Sequence, residues 1–140
     1  MSTASIYLLD TNIISHMMRE PQGLAAQRIS TMASIEADAR LVTSVVVESE
    51  LLFGLQKRSN PQWRQRLEAT MSCLEILPLG SEVSACYALL RYSLEQQGQS
   101  IGPNDLLIAA HALSLQATLV SADHAFAQVV PQLSLENWLT

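Results

Sequence analysis

Residues 6–12 read Ile-Tyr-Leu-Leu-Asp-Thr-Asn, a short apolar run that ends in three polar residues. The apolar run has the length of a buried strand, and the polar residues after it are typical of a helix start. Two later segments have a similar order: residues 40–44 lead into a helical pattern, and residues 118–120 end in Ser-Ala-Asp. This order predicts a chain in which short strands alternate with helices.

The rest of the chain agrees with this alternation, because apolar residues recur at intervals of three and four between Gly and Pro. Beyond the helix that follows residue 10, predicted helices cover residues 24–39, 45–58, 61 to about 73, 81 to about 98 and 106–115, and predicted strands cover residues 6–9, 40–44, 75–79, 118–120 and 133–135. Parallel strands need long crossovers, which bury both faces of the sheet. The pattern therefore predicts an α/β fold with a mostly parallel sheet, in one domain over residues 1–140.

The composition sets the class of protein. A chain of 140 residues with 49% hydrophobic content can form one core without disulfide or metal staples. The first residues lack the basic region of an export signal, and the apolar runs are shorter than the roughly 18 to 20 residues of a membrane span. Cys73 and Cys86 form no CxxC pattern, which favours a reducing compartment. We expect a soluble, cytoplasmic protein that contacts no membrane.

The net charge of −5 argues against a protein that holds nucleic acid by general electrostatic attraction. The distribution of the basic residues weakens this objection, because four of the eight lie within ten positions: Lys57, Arg58, Arg64 and Arg66. They either steer a phosphate backbone or form an ordinary solvated helix face. Trp63 lies among them, and it either stacks on a base or belongs to an ordinary amphipathic helix.

Three aspartates lie where the predicted fold places functional groups. Asp10 and Asp123 each follow a strand, and Asp105 is in the first turn of a helix. Any one of them alone could simply cap a helix or stabilise its N-terminus. Together they are more informative, because ligands of such sheets bind beyond the carboxyl ends of the strands.

A fourth acid comes from the helix predicted over residues 45–58. Glu48 and Glu50 point about 200° apart on a helix, so only one of them can face a given site. Glu50 shares its face with Gly54 and Lys57, and a glycine there allows close approach of a backbone or a substrate. We therefore select Glu50, although either glutamate could simply belong to a solvent-facing stripe.

Carboxylates that converge and are partly buried repel one another unless a cation neutralises them. Mg²⁺ and Mn²⁺ prefer such oxygen ligands and support phosphodiester hydrolysis. The three histidines form no zinc pattern, and we expect His111 and His124 to be structural rather than catalytic. A phosphatase with an aspartyl nucleophile is disfavoured, because position 12 is Asn where a second Asp would assist.

Four acidic motifs occur along the chain, and a strand with a Trp closes it. The motifs are residues 8–14 (Leu-Leu-Asp-Thr-Asn-Ile-Ile), 47–54 (Val-Glu-Ser-Glu-Leu-Leu-Phe-Gly), 101–112 (Ile-Gly-Pro-Asn-Asp-Leu-Leu-Ile-Ala-Ala-His-Ala) and 119–126 (Leu-Val-Ser-Ala-Asp-His-Ala-Phe), and the closing segment is residues 133–138. In this order they resemble the motifs of the PIN-domain family and its VapC-type toxins. The resemblance implies a three-layer α/β/α fold and an Mg²⁺- or Mn²⁺-dependent endoribonuclease toxin.

The resemblance also implies partners and residue roles. Asp10, Glu50, Asp105 and Asp123 would be the catalytic metal ligands, with Asn12 supporting Asp10. The toxin would act on structured RNA, often tRNA, form a homodimer, and be neutralised by a cognate antitoxin. The alternative is a catalytically silent PIN-like module that binds RNA or protein without hydrolysis.

Overall fold

Within the described residues, the central sheet has five strands, all parallel to their neighbours. A computed structural model describes residues 5–129 and 131–140. The strands are β1 (Ile6–Leu9), β2 (Arg40–Ser44), β3 (Glu75–Leu77), β4 (Thr118–Val120) and β5 (Ser134–Glu136), in the spatial order β3-β2-β1-β4-β5. In the register, Tyr7 pairs with Leu41 of β2 and Leu9 pairs with Val120 of β4. The prediction of a mostly parallel sheet is therefore confirmed.

Strand β1 occupies the middle of the sheet, and the strand order reverses there. The chain first builds outward through β2 and β3, and it then returns to place β4 on the other side of β1. The carboxyl ends of β1 and β4 are consequently neighbours, at the type of switch point where α/β sheets commonly bind ligands. Asp10 follows β1 directly, and Ser121 follows β4.

In the part of the chain that the structure describes, six α-helices and one 3₁₀ helix connect or flank the strands. They are α1 (Thr11–Arg19), α2 (Leu24–Ile35), α3 (Val45–Lys57), α4 (Pro61–Met71), α5 (Ser81–Gln96), α6 (Pro103–Ser114) and the 3₁₀ helix His124–Val129. Gly98 follows α5 with a φ of +69°, a left-handed conformation that glycine adopts without strain and that ends the helix as predicted. No helix of the described chain combines the length and the apolar character that crossing a membrane requires.

Two predicted elements were too long. The helix predicted over residues 24–39 ends at Ile35, because a turn that closes with a hydrogen bond from Ala39 N to Glu36 O leads the chain into β2. The strand predicted over residues 75–79 ends at Leu77, since Pro78 has no N–H group to donate to a neighbouring strand.

The core lies on both faces of the sheet. Successive residues of a strand point to opposite faces, and both Leu8 and Leu9 of β1 are completely buried. The same holds for Leu119 and Val120 of β4. Both faces are therefore covered, as the three-layer α/β/α arrangement requires, and polar groups reach solvent at the ends of the strands rather than on the faces.

Candidate active site

Asp10 is fixed at the end of β1. Its backbone N–H donates to Val120 O at 2.9 Å, which extends the pairing of β1 with β4 by one residue. Its carboxylate caps α1, because Oδ1 accepts a hydrogen bond from Thr11 N at 2.7 Å. The capping role considered for an isolated aspartate is therefore real, but it occupies only one of the two carboxylate oxygens.

The second oxygen of Asp10 belongs to a network that joins β1 to the segment after β4. Ser121 Oγ donates to Asp10 Oδ2 at 2.8 Å, and Asn12 Nδ2 lies 3.4 Å from the same oxygen. The Asn12 side chain also accepts from Ala122 N at 3.0 Å. Asn12 thus contacts Asp10 as the resemblance implied, and it also ties down the loop that leads to Asp123.

Glu50 reaches the same edge from α3. Thr11 Oγ1 donates to Glu50 Oε1 at 2.7 Å, so the residue beside Asp10 also orients the glutamate. The rejected alternative, Glu48, lies on another side of α3, where it lines a separate groove with Leu52 and Arg64. The helical geometry therefore separates the two glutamates as their spacing predicted.

Asp105 and Asp123 complete the acidic group. Asp123 follows β4, is exposed, and accepts from Ala125 N at 2.9 Å, while its own N–H donates to Ser121 Oγ at 3.0 Å. Asp105 is half-buried in the first turn of α6. Its carboxylate is close enough to Asp10, Asp123 and Glu50 to be perturbed by the charge of each.

The electrostatics of the site show that these acids share one environment. Burial, followed by repulsion from Asp10, Asp123 and Glu50, raises the pKa of Asp105 to about 6. Burial also raises the pKa of Asp10, although the hydrogen bonds from Ser121 and Thr11 oppose this shift by stabilising the charged form. The four predicted acids come from separate segments and lie near enough to one another at one edge of the sheet for their charges to interact.

The oxygen atoms of the four carboxylates are the type of ligand that a hard divalent cation prefers. All four acids present oxygen, and a cation would relieve the repulsion that raises the pKa of Asp105. Within residues 5–129 and 131–140, however, no three His, Cys, Asp or Glu side chains are arranged as a ready metal-binding cluster. Mg²⁺ does not require one, because it usually binds through one or two carboxylates together with waters and substrate phosphate oxygens.

A groove begins at Glu50 and carries positive charge. This Glu50 groove has a volume of about 350 Å³, and its lining includes Arg19, Glu50, Gly54, Lys57, Arg58 and Trp63. A second groove, with a volume of about 290 Å³, shares Arg58 and Leu55 with it and also contains Arg64. A ligand at the carboxylates can therefore extend directly onto a basic surface.

The basic residues divide into two groups. Arg28, Arg40 and Arg91 form ion pairs with Glu136, Glu75 and Glu95 respectively. The remaining five make no salt bridge to any residue that the structure describes, and they are Arg19, Lys57, Arg58, Arg64 and Arg66. The cations without a salt bridge to a described residue are therefore concentrated in and around the Glu50 groove.

Neither His111 nor His124 touches the acids through a hydrogen bond in the described chain. His111 is 2% exposed on α6, and its Nδ1 lies 2.8 Å from Ser44 Oγ. Its burial lowers the pKa of the imidazole, which favours the neutral ring. His124 is exposed at the start of the 3₁₀ helix.

Thr11 and Ser121 were missed by sequence reasoning. Each hydroxyl donates to a carboxylate of the site, Thr11 to Glu50 and Ser121 to Asp10. A signal was present, because both residues lie next to or near a predicted acid at the carboxyl end of a strand. Nothing in the spacing, however, tells which acid each hydroxyl would reach.

Known proteins resemble this chain over most of its length. A family model described as PIN domain matches residues 7–130. Ribonuclease VapC2 of Rickettsia felis is 35% identical over 134 residues, which are 95% of this chain and 98% of the relative. A more distant relative, the tRNA(fMet)-specific endonuclease VapC of Salmonella typhimurium, is 25% identical over 94% of this chain and 97% of its own length.

Solved structures share the fold. The crystal structure of VapBC2 from Rickettsia felis, bound to a DNA fragment from their promoter, contains a chain that is 35% identical and superposes with a TM-score of 0.86. The match covers 95% of this chain and 98% of that one. It confirms the predicted three-layer α/β/α architecture, and together with the family model it confirms the resemblance found in the motifs. The chain therefore belongs to the PIN-domain family and, within it, to the VapC-type ribonucleases.

Proposed function

We propose that this chain is a metal-dependent endoribonuclease toxin that hydrolyses RNA phosphodiester bonds. The observation that carries the proposal is the convergence of four carboxylates from separate segments at one sheet edge, directly beside a basic groove. Carboxylates alone would repel a phosphodiester. The unpaired cations of the groove supply the attraction that holds the RNA backbone near them.

We propose that Asp10, Glu50, Asp105 and Asp123 hold Mg²⁺ or Mn²⁺. When bound, the metal supplies Lewis-acid activation of a water molecule and stabilises charge at the phosphate. The chain's own residues hold the site in shape: Ser121 and the Thr11 N–H fix Asp10, while the Thr11 hydroxyl orients Glu50. Asp105 and Asp123 are more exposed than Asp10, and solvent can therefore reach them more readily.

The partners follow from the family. We propose that the substrate is a structured RNA, with tRNA the leading candidate because one relative is named as a tRNA-specific endonuclease. We also propose neutralisation by a cognate antitoxin, in a cytoplasmic protein that forms a homodimer. Exposed apolar side chains, including Phe53 on α3 together with Leu89 and Tyr92 on α5, offer surface for such contacts.

The test compares the two glutamates of α3. In purified protein with Mg²⁺ or Mn²⁺, Glu50→Gln should lower the rate of RNA cleavage by more than about 100-fold, since even hydrogen-bond partners of metal ligands typically contribute about 10- to 100-fold. Glu48→Gln is the matched control, because it makes the same change on another side of the helix, and it should cleave at nearly the wild-type rate.

A second measurement separates metal binding from chemistry. A ligand that binds only the folded state raises the melting temperature, so Mn²⁺ should stabilise the wild type and the Glu48→Gln variant more than Glu50→Gln. Equal cleavage by both glutamate variants would contradict the assignment of the site. A wild type that binds RNA and never cleaves it would instead support the silent binding module.

A further inference from the structure

Gly54 occupies a position where neither the backbone nor the packing requires glycine. It lies inside α3, one turn after Glu50, where glycine destabilises a helix relative to alanine. It does not have a positive φ, and a Cβ built on it would meet no atom within 4 Å. The space above Gly54 is the Glu50 groove. The absent side chain therefore keeps room in the groove rather than permitting a turn or a close helix contact.

An aromatic ring lines the same space. Trp63 on α4 contributes to the wall of the Glu50 groove. The guanidinium of Arg66 lies 5.1 Å from the centre of this ring, and its Nη1 donates to Met18 O at 3.4 Å, so it covers one part of the indole while another part lines the groove. The groove therefore offers part of an indole together with the unpaired cations Lys57 and Arg58.

We propose that the Glu50 groove is a subsite for one unpaired nucleoside of the RNA, next to the phosphodiester that is cleaved. The indole of Trp63 contacts the base, Gly54 leaves room for it, and Lys57 and Arg58 contact the neighbouring phosphates. The inference rests on the proposed function, because it takes RNA as the substrate. Aromatic contacts bind any base, whereas lysine and arginine bind phosphates without reading sequence.

The size and charge of the groove favour this occupant. A volume of about 350 Å³ lies at the small end of the range for pockets that hold single small ligands, so it suits one flipped-out nucleoside and not a duplex. Its unpaired positive groups match phosphates on either side of a base. The site would consequently prefer RNA loops or single strands, where a base can leave its stack.

The first test uses the fluorescence of Trp63. The chain has two tryptophans, and Trp138 is 2% exposed with its indole N–H bonded to Glu136, so it serves as an internal reference. Without divalent metal, a short single-stranded oligoribonucleotide should quench the fluorescence of the wild type but not that of Trp63→Phe. An abasic strand of the same length should bind through its phosphates and cause no quenching. The affinity of Trp63→Ala, which removes the aromatic ring, should be about ten-fold weaker.

The second test fills the groove with a larger side chain at position 54. Gly54→Leu should raise the KM for RNA by about ten-fold, because the side chain takes the place of the nucleoside. Gly54→Ala places only a methyl group in the groove, so it should raise KM by less than Gly54→Leu does. Ser49→Leu adds the same side chain at an exposed position of α3 outside the groove, and it should leave KM unchanged.

The outcomes separate this proposal from the proposed function. Quenching by the abasic strand, or none by the normal strand, would overturn the nucleoside subsite even if the protein cleaves RNA. A Gly54→Leu variant that cleaves RNA normally but escapes inhibition by a protein partner would reassign the groove to that partner and also overturn it. Base-dependent quenching in a protein that never cleaves RNA would preserve the subsite and remove only the enzymatic role.

Discussion

The acidic edge, which is the sheet edge that carries Asp10, Glu50, Asp105 and Asp123, meets the Glu50 groove at Glu50, but the two regions differ in how their charged groups are held. Asp10, the centre of the acidic edge, is 3% exposed and accepts hydrogen bonds from Thr11 N and Ser121 Oγ. The cations of the groove are on exposed, flexible side chains, and Lys57 and Arg58 make no salt bridge to any described residue. One region is fixed in place, whereas the other can adapt to its ligand.

The difference concerns free energy as well as geometry. Like charges that are half-buried repel strongly and are screened little by salt, so the acidic edge lowers the stability of the metal-free protein. Exposed cations are well solvated and repel one another weakly. We therefore expect changes at the acidic edge to affect the rate of the chemical step and the stability, and changes in the groove to affect affinity in a salt-dependent way.

Among changes that leave the four acids in place, the largest expected effect comes from the Thr11 hydroxyl, which orients Glu50. Thr11→Val keeps the shape of the side chain but removes the donor to Glu50 Oε1, and we expect kcat for RNA cleavage to fall about 10- to 100-fold with little change in KM. Thr11→Ser keeps the hydroxyl and is the matched control, so it should retain most of the rate. A loss of rate that is equal in both variants would show that the hydrogen bond does not matter.

A smaller effect is expected in the groove. Lys57→Ala combined with Arg58→Ala should weaken RNA binding about ten-fold at low salt, and the slope of log affinity against log salt should become shallower by about 0.7 for each phosphate that the variant no longer neutralises. Arg91→Ala is the control, because Arg91 pairs with Glu95 on α5 and lies outside the groove. Filter-binding or anisotropy titrations over a salt series measure both quantities. An unchanged slope would separate these cations from RNA binding.

Those features of the fold and the site that follow from local sequence patterns could be predicted. The strands β1 and β4 and the aspartates that follow them were predictable, because an apolar run followed by an acid is a local pattern and parallel strands bring their carboxyl ends together. The choice of Glu50 over Glu48 followed from helical spacing alone. These features depend on periodicity, which a single sequence displays.

The other features of the site depend on packing between segments that are distant in sequence, and they could not be predicted. The hydrogen bond of Thr11 with Glu50 spans 39 positions, and that of Ser121 with Asp10 spans 111. No periodicity relates such positions, so the hydroxyls were overlooked. Arg19 is far in sequence from the four clustered basic residues and was omitted for that reason, yet it reaches the Glu50 groove from the end of α1. Only the packing of α1 beside α3 and α4 brings it there.

The smallest expected effect tests whether repulsion among the four acids lowers the stability of the folded protein. The pKa of Asp105 is about 6 in the folded protein and near 3.8 when unperturbed, so the folded state holds this proton more tightly. The contribution of Asp105 to stability is therefore fully present below pH 3.8 and is lost as the pH rises through about 6. Asp105→Asn removes this loss of stability at high pH, because asparagine does not ionise. Because Asp105 is partly exposed and screened by solvent, we expect a gain of about 1 kcal/mol at pH 8.

Urea unfolding without divalent metal, at pH 4 and at pH 8, measures this gain. The stability of Asp105→Asn should exceed that of the wild type at pH 8 and approach it at pH 4, because a protonated aspartic acid and an asparagine are both neutral. Asp38→Asn, at an exposed turn after α2, is the matched control, because it makes the same change outside the acidic edge, and it should not be more stable than the wild type at pH 8. A variant that is both more stable and inactive would mean that the acids are kept together for function at the expense of stability. A variant that is less stable at pH 8 would mean that their repulsion is already relieved within the folded chain.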